Sequence, residues 1–307
     1  MKRTILTGIL ALAAGVGMLL MAQQPYAPAQ AAPAGQAAPA GQAAPAGQAA
    51  PAGQAAPAGQ AAAPATKAGP HPKSAAEQAA LLALVTAQIA GDADGMIKAA
   101  EDLLTKFADT DYKETALTLE AMAYDMKRDA TNEQVAWGRV MEVNPQNIAA
   151  NLKLGGILAA QTKDKDLDRD EQLAKAEKYL NAAIAGLKTQ EANPAMTPQN
   201  LAQMKVNESE AHHGLAFVAH TRATANTNAD PKKFDPAVAE MQTAVADDPD
   251  QAAYQAQLAT MLHEDGKDAD SLALCDKILA VPDLNPTIKM YTTTLRAQVA
   301  KAAPAAK

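Results

Sequence analysis

The chain has 307 residues, with 27 Lys and Arg against 34 Asp and Glu, and no acidic residue stands before Glu77. Beyond that point 23 positive charges face 34 negative ones, an acidic surface that repels nucleic-acid phosphates and anionic headgroups and argues against both as general partners. Aromatic residues make up 3% of the sequence while Ala, Leu and Met abound, so few runs exist to make strands and the expected class is all-α.

In chain order, Lys2 and Arg3 precede an uncharged run from Ile5 to Ala22, the pattern of an export signal. At 18 residues the run exceeds the usual apolar core of such a signal and just reaches the length of a membrane span. Cleavage after Ala22 or Ala29, and retention of residues 5–22 as a membrane attachment, both stay open. Either outcome places the rest in the periplasm or elsewhere on the extracytoplasmic side of the membrane. No Cys follows the run, which speaks against a lipid anchor. Residues 31–60 are five copies of AAPAGQ. Gly at every sixth position is not the collagen rule. With no large apolar side chain to bury, nothing offsets the entropy of ordering, so residues 23–73 are expected to be a disordered tether with a reach on the order of 40 Å.

From Ser74 to residue 303 the chain alternates helical stretches with short breaks, and residues 304–307 form a tail. Ser74-Ala-Ala-Glu77 and Thr131-Asn-Glu-Gln134 fit the capping box, in which a hydroxyl and a side chain three places on satisfy orphan backbone donors. Thr197-Pro198, Asp235-Pro236 and Asn285-Pro286 set a capping acceptor before a proline at the first helical position. Such signals predict about eleven helices, most of 12 to 18 residues. Cys275, the only cysteine, cannot form an internal disulfide or a Cys-rich metal site, and its apolar helical spacing marks a core residue rather than a reactive thiol.

A period runs through these helices. Leu117, Ala121 and Tyr124 are followed by Trp137, Val140 and Pro145, and then by Leu154, Gly155 and Leu158, with 34 residues from Ala121 to Gly155. Ala237, Met241, Ala244 and Pro249 precede Leu258, Ala259 and Leu262, then Ser271, Cys275, Ile278 and Pro282, with 34 residues from Ala237 to Ser271. This resembles the tetratricopeptide repeat, in which a small residue (Ala121, Gly155, Gly214, Ala259) lets paired helices approach and a large one three places on (Tyr124, Leu158, Phe217, Leu262) fills the gap beside it. Five repeats are read, at about 76–110, 111–145, 147–193, 198–249 and 251–283. The first is the least faithful, with Ala87 and Ala90 in its first helix and Ala99, Leu103 and Phe107 in its second. The third carries the insertion QTKDKDLDRD, and the fourth has a long first helix and a long loop, TRATANTNADPKKFD. The resemblance implies a right-handed α-solenoid of antiparallel helix pairs, and Pro286–Ala302 is expected to cap its C-terminal end.

The resemblance also implies a concave face lined by the first helix of each pair at repeat positions 2, 5, 9 and 12. Carried over, these are Thr115, Thr118, Met122 and Asp125; Ala149, Leu152, Gly156 and Ala159, with Lys153 adjacent; Glu208, Ala211, Leu215 and Val218; and Ala253, Ala256, Thr260 and His263. Relatives that clamp terminal carboxylates line the groove with Lys, Asn and Arg. This one is small, apolar and slightly acidic, which favours an apolar or helical segment as guest. Some of these side chains are equally expected to pack only against neighbouring helices. Glu210, His213 and His220 fall on one predicted helix, but His220 lies two turns from His213, too far to share a small ion, so no metal is expected. Asp164, Asp166, Asp168 and Asp170 alternate as in a calcium loop, yet the glycine and closing glutamate of such a loop are missing. No catalytic motif appears, so neither an enzyme nor a cofactor is expected. The expected role is an exported adaptor binding protein or peptide segments. The alternatives are a structural component of a membrane or cell-wall assembly and, last, a helical hydrolase using the Glu210–His220 region.

Overall fold

The computed structural model describes residues 70–302 other than 227, 229 and 231. The expected export signal, the AAPAGQ copies, all but the last few residues of the tether and the tail lie outside them. Among the described residues there are eleven helices and no strand: α1 (Ala75–Ala90), α2 (Ala93–Lys106), α3 (Lys113–Met126), α4 (Ala130–Val143), α5 (Ile148–Gln161), α6 (Arg169–Glu191), α7 (Pro198–Ala225), α8 (Asp235–Asp247), α9 (Ala252–Glu264), α10 (Asp268–Leu279) and α11 (Pro286–Ala302). Each packs on the next in chain order, giving five pairs and a last helix. The molecule is an all-α solenoid.

Helix starts follow local chemistry. Ser74 caps α1 by accepting from the Glu77 N–H at 3.1 Å, while Glu77 accepts from the Lys73 N–H at 2.5 Å and from the Thr110 hydroxyl at 2.6 Å. The Glu77 carboxylate therefore also fixes the turn between the first two pairs. Thr197 caps α7 with Pro198 in its first turn, and Asn285 accepts from the Thr287 N–H at 2.9 Å at the start of α11. Two expected caps move. Asp129, not Thr131, caps α4, accepting from the Asn132 N–H at 3.2 Å, because the chain has already turned at Arg128. α8 takes in Asp235 itself, so that residue is not a cap; its carboxylate accepts instead from Lys267 Nζ at 2.9 Å.

The turns inside pairs one, two and five share one form. Gly91, Arg128 and Gly266 take positive φ of 65°, 57° and 75°. The next residue then donates back five places, Asp92 to Ala87, Asp129 to Tyr124 and Lys267 to Leu262. Between pairs a second device recurs. The Asn151 and Gln255 side-chain amides donate to the carbonyls of Pro145 and Pro249, six residues back, at 3.0 and 2.5 Å. Each amide pins the proline turn to the helix that follows it.

The core is a row of clusters between successive helices, and the 34-residue register holds in it: Ala121, Ala237 and Ser271 are fully buried, and Gly155 is buried among helices. Trp137 is buried beside Ala121 and Val140, and Leu180 beside Leu152, Ala183 and Leu215. A fully buried side chain of this size contributes about 1.5–3 kcal/mol. In the first pair the expected Ala90 is exposed and Ala87 only half-buried; Leu84 is the buried apolar residue of α1, packed with Met96, Ala100 and Leu103 of α2. Cys275 is fully buried with Ala259, Leu295 and Val299, and burial pushes its thiol pKa up. The insertion in pair three ends in a lengthened α6 of 23 residues, which is answered by the 28 residues of α7. The extra turns pack together through Leu187, Met196 and Met204.

Candidate functional site

The first helices of pairs three, four and five, with α11, line up along one wall, and their polar side chains meet across it. Lys153 of α5 sets its ammonium 2.9 Å from Glu210 Oε1 of α7. The Glu210 charge raises the Lys153 pKa well above the ordinary lysine range against the opposing effect of burial, with help from Asp125 and Glu133. Glu133 of α4 is buried, accepts from Trp137 Nε1 at 3.3 Å, and has its carboxyl pKa raised first by burial and then by the charge of Asp125. One cation thus sits among three carboxylates.

Next along the wall, His213 of α7 stacks on Tyr254 of α9, ring centroids 4.1 Å apart and 14° from parallel, with Phe217 edge-on at 4.9 Å. His213 Nε2 lies 2.7 Å from Gln257 Oε1, a pairing that puts the ring proton on Nε2. Burial lowers the His213 pKa, so the ring is held neutral. Burial, then the Glu210 charge, pushes the Tyr254 hydroxyl up to about 12. Beyond it His220 Nε2 is 2.6 Å from Glu264 Oε2, and His263 Nδ1 is 2.6 Å from Asp268 Oδ1. The Thr260 and Tyr291 hydroxyls, 2.6 Å apart, join α9 to α11. A cleft of about 260 Å³ opens there, lined by Thr260, His263, Glu264, Tyr291, Thr294, Leu295 and Gln298.

The residues expected on the concave face divide. Thr260 and His263 line this cleft, while Asp125 and Lys153 are half-buried on the polar seam. Met122 is half-buried between two core clusters. Thr118, Leu152 and Leu215 are buried, the last two in the cluster around Leu180, as are Ala149, Ala159, Glu208, Ala211, Val218 and Ala256. For the positions on α5 and α7 the physical reason is that these two helices pack directly on one another, so side chains expected to face a groove are taken up in helix contact. Glu133, Tyr254 and Gln257 were not anticipated in the seam. The signal for Gln257 was a polar residue at the same place in its helix as Lys153, two before the small-large pair.

Glu210, His213 and His220 each turn to a separate partner, Lys153, Gln257 and Glu264. Among the described residues no group of three His, Cys, Asp or Glu side chains is placed to hold a metal ion. In the insertion Asp166 accepts from the Lys163 N–H at 2.7 Å and Asp170 accepts from Arg169 Nε at 2.9 Å, each carboxylate engaged on its own.

No family model matches the chain, and no curated protein does. Among solved structures it is similar to the assembly chaperone of RpL4, Acl4 (residues 1–338), at 13% identity and TM-score 0.48, over 74% of this chain and 97% of that one. A MamA RS-1 ArsTM double mutant aligns at 13% identity and TM-score 0.42, over 75% and 97%. A thermophilic TPR protein of Thermus thermophilus aligns at 18% identity and TM-score 0.39, over 71% and 98%. By its own geometry, with paired helices in a 34-residue register and Gly155 seated against Leu180 of its partner helix, the chain is a solenoid of tetratricopeptide-like helix pairs.

Proposed function

We propose that this chain is a protein-binding adaptor of the extracytoplasmic side, holding a protein segment against the wall formed by α3, α5, α7, α9 and α11. The observation that carries the reading is the seam itself: half-buried polar groups from successive first helices converge on one side and end in the Thr260–Tyr291 cleft. Such a row offers an extended or helical segment hydrogen-bond partners at intervals, beside apolar surface. Export rests on Lys2-Arg3 and the run that follows, and the tether of residues 23–73 would set the adaptor's reach.

A photoreactive residue placed at Asp125, Thr260 or His263 of the wall, and at the exposed Val135 or Lys178 for comparison, tests the reading in intact cells. The same discrete protein adduct is expected from the wall positions and not from Val135 or Lys178. Adducts that do not distinguish the two sets, or none from the wall, sink it.

A further inference from the structure

The two ends of the solenoid are finished differently. α11 turns Thr292, Leu295 and Val299 inward and exposes Lys289, Arg296 and Lys301 around Met290 and Tyr291, a mostly polar and charged outer face of the kind a terminal repeat needs for solubility. α1 has no such face. Its only charged residue, Glu77, is buried and hydrogen-bonded to Thr110. On its open side Leu82, Val85 and Ile89 are 66%, 43% and 83% exposed.

These residues are not scattered. Ala75, Gln78, Leu82, Val85 and Ile89 are all exposed and follow one another at alternating steps of three and four, the spacing of a coiled-coil seam. The opposite face, with Leu81, Leu84 and Ala87, is already packed in the cluster shared with α2. We propose that α1 is a self-association surface, pairing antiparallel with α1 of a second copy of this chain about a two-fold axis. The seam matches itself: with the axis between Ala83 and Leu84, Leu82 of one copy opposes Val85 of the other in both central layers, and Gln78 opposes Ile89 in the outer ones. The flanking Ala79, Ala83 and Thr86 are small or short enough for close approach. The seam carries no charge that would select a charged partner or refuse an identical one. Elsewhere the net charge of −7 drives copies apart, which leaves this neutral face as the place where two can meet. A helix of 16 residues is about 24 Å long and supplies less than the roughly 800 Å² per side of a standard interface, so the proposal is a reversible dimer rather than an obligate one.

Sedimentation velocity on the full chain from about 1 to about 100 μM reads the equilibrium. A monomer–dimer transition is expected, and it tightens with added salt because salt screens the repulsion between acidic copies. Leu82→Glu and Val85→Lys each weaken it at least about tenfold without changing helicity or the melting temperature read at monomeric dilution, since both positions are exposed. Mixing the two variants restores a dimer, because the new carboxylate and ammonium face each other only in the antiparallel register. A chain that stays monomeric throughout, a dimer indifferent to Leu82→Glu, or no rescue on mixing overturns the proposal. So does a monomer whose α1 amides lose their exchange protection when Leu10 and Leu19 are made Glu, the outcome if the chain's own run of residues 5–22 covers α1 instead.

Discussion

Leu180 is where the third and fourth pairs are held to their spacing. A Cβ added at Gly155 would stand 2.6 Å from Leu180 Cγ and 3.1 Å from its backbone nitrogen, whereas one at Gly214 would meet Leu180 Cδ1 at 2.8 Å and Cδ2 at 3.0 Å. The two glycines therefore clasp one side chain from both sides, but with different tolerance. Methyl ends swing aside by rotation, while a backbone nitrogen moves only with its helix. Replacing a helical Gly by Ala gains up to about 1 kcal/mol of propensity, and overpacking a core costs about 1–3 kcal/mol. Gly155→Ala is accordingly expected to destabilise by about 1–2 kcal/mol and Gly214→Ala to lie within about 1 kcal/mol of neutral, read from urea unfolding. Adding Leu180→Ala to Gly155→Ala should come out less harmful than the two single changes summed. Equal losses from the two glycines would mean that α6 does not set the spacing. Glu120 shows another residue-level compromise. Its buried carboxyl accepts two bonds from Arg139 at 2.7 and 3.0 Å, yet burial still raises its pKa against the pull of the guanidinium.

At the scale of the element, helix boundaries are set by short acceptors and by the turn that delivers them. In the second pair Arg128 at positive φ closes α3, and the next residue, Asp129, is presented to the free N–H groups of α4. Thr131, two residues later, is already inside the helix. Asp129→Ala should lower the melting temperature by a few degrees, and Thr131→Ala should leave it nearly unchanged, as followed by helical circular dichroism. The reverse order would return the cap to Thr131. Connections between pairs have their own fasteners. Asn144 and Asn147 both donate to Glu114 Oε1 at 2.8 Å, so the turn leading into α5 is bound to the start of α3.

For the whole molecule, stacking makes each pair depend on its neighbours, and the last pair depends on α11. Cys275 is a built-in reporter of that dependence, being the chain's only cysteine and buried beneath Leu295 and Val299. Placing a carboxylate at a fully buried site is strongly unfavourable, so Val299→Asp should lift α11 and expose the thiol. Cys275 should then react with an aromatic disulfide reagent at least about tenfold faster than in the parent chain, while Ala300→Asp, on the exposed side, leaves the rate unchanged. A thiol that stays slow in Val299→Asp would show that α11 is not what covers it.

The all-helical class, the 34-residue register and the starts of α1, α7 and α11 are legible in the amino-acid sequence. These follow from periodicity near 3.6 residues and from capping acceptors, which act within a few residues of one another. The repeat resemblance puts Thr260 and His263 at groove positions and Lys153 beside one, and in the structure the first two line the cleft and the third lies on the seam. Tertiary structure alone decided which wall positions stay open. Leu152 and Leu215 are buried because α5 and α7 pack on one another around Leu180 of α6, and Tyr254 and Gln257 join the seam because α7 carries His213 to them across 41 and 44 residues. Exposure at such positions is a property of neighbouring helices distant in sequence, and local pattern carries no record of it.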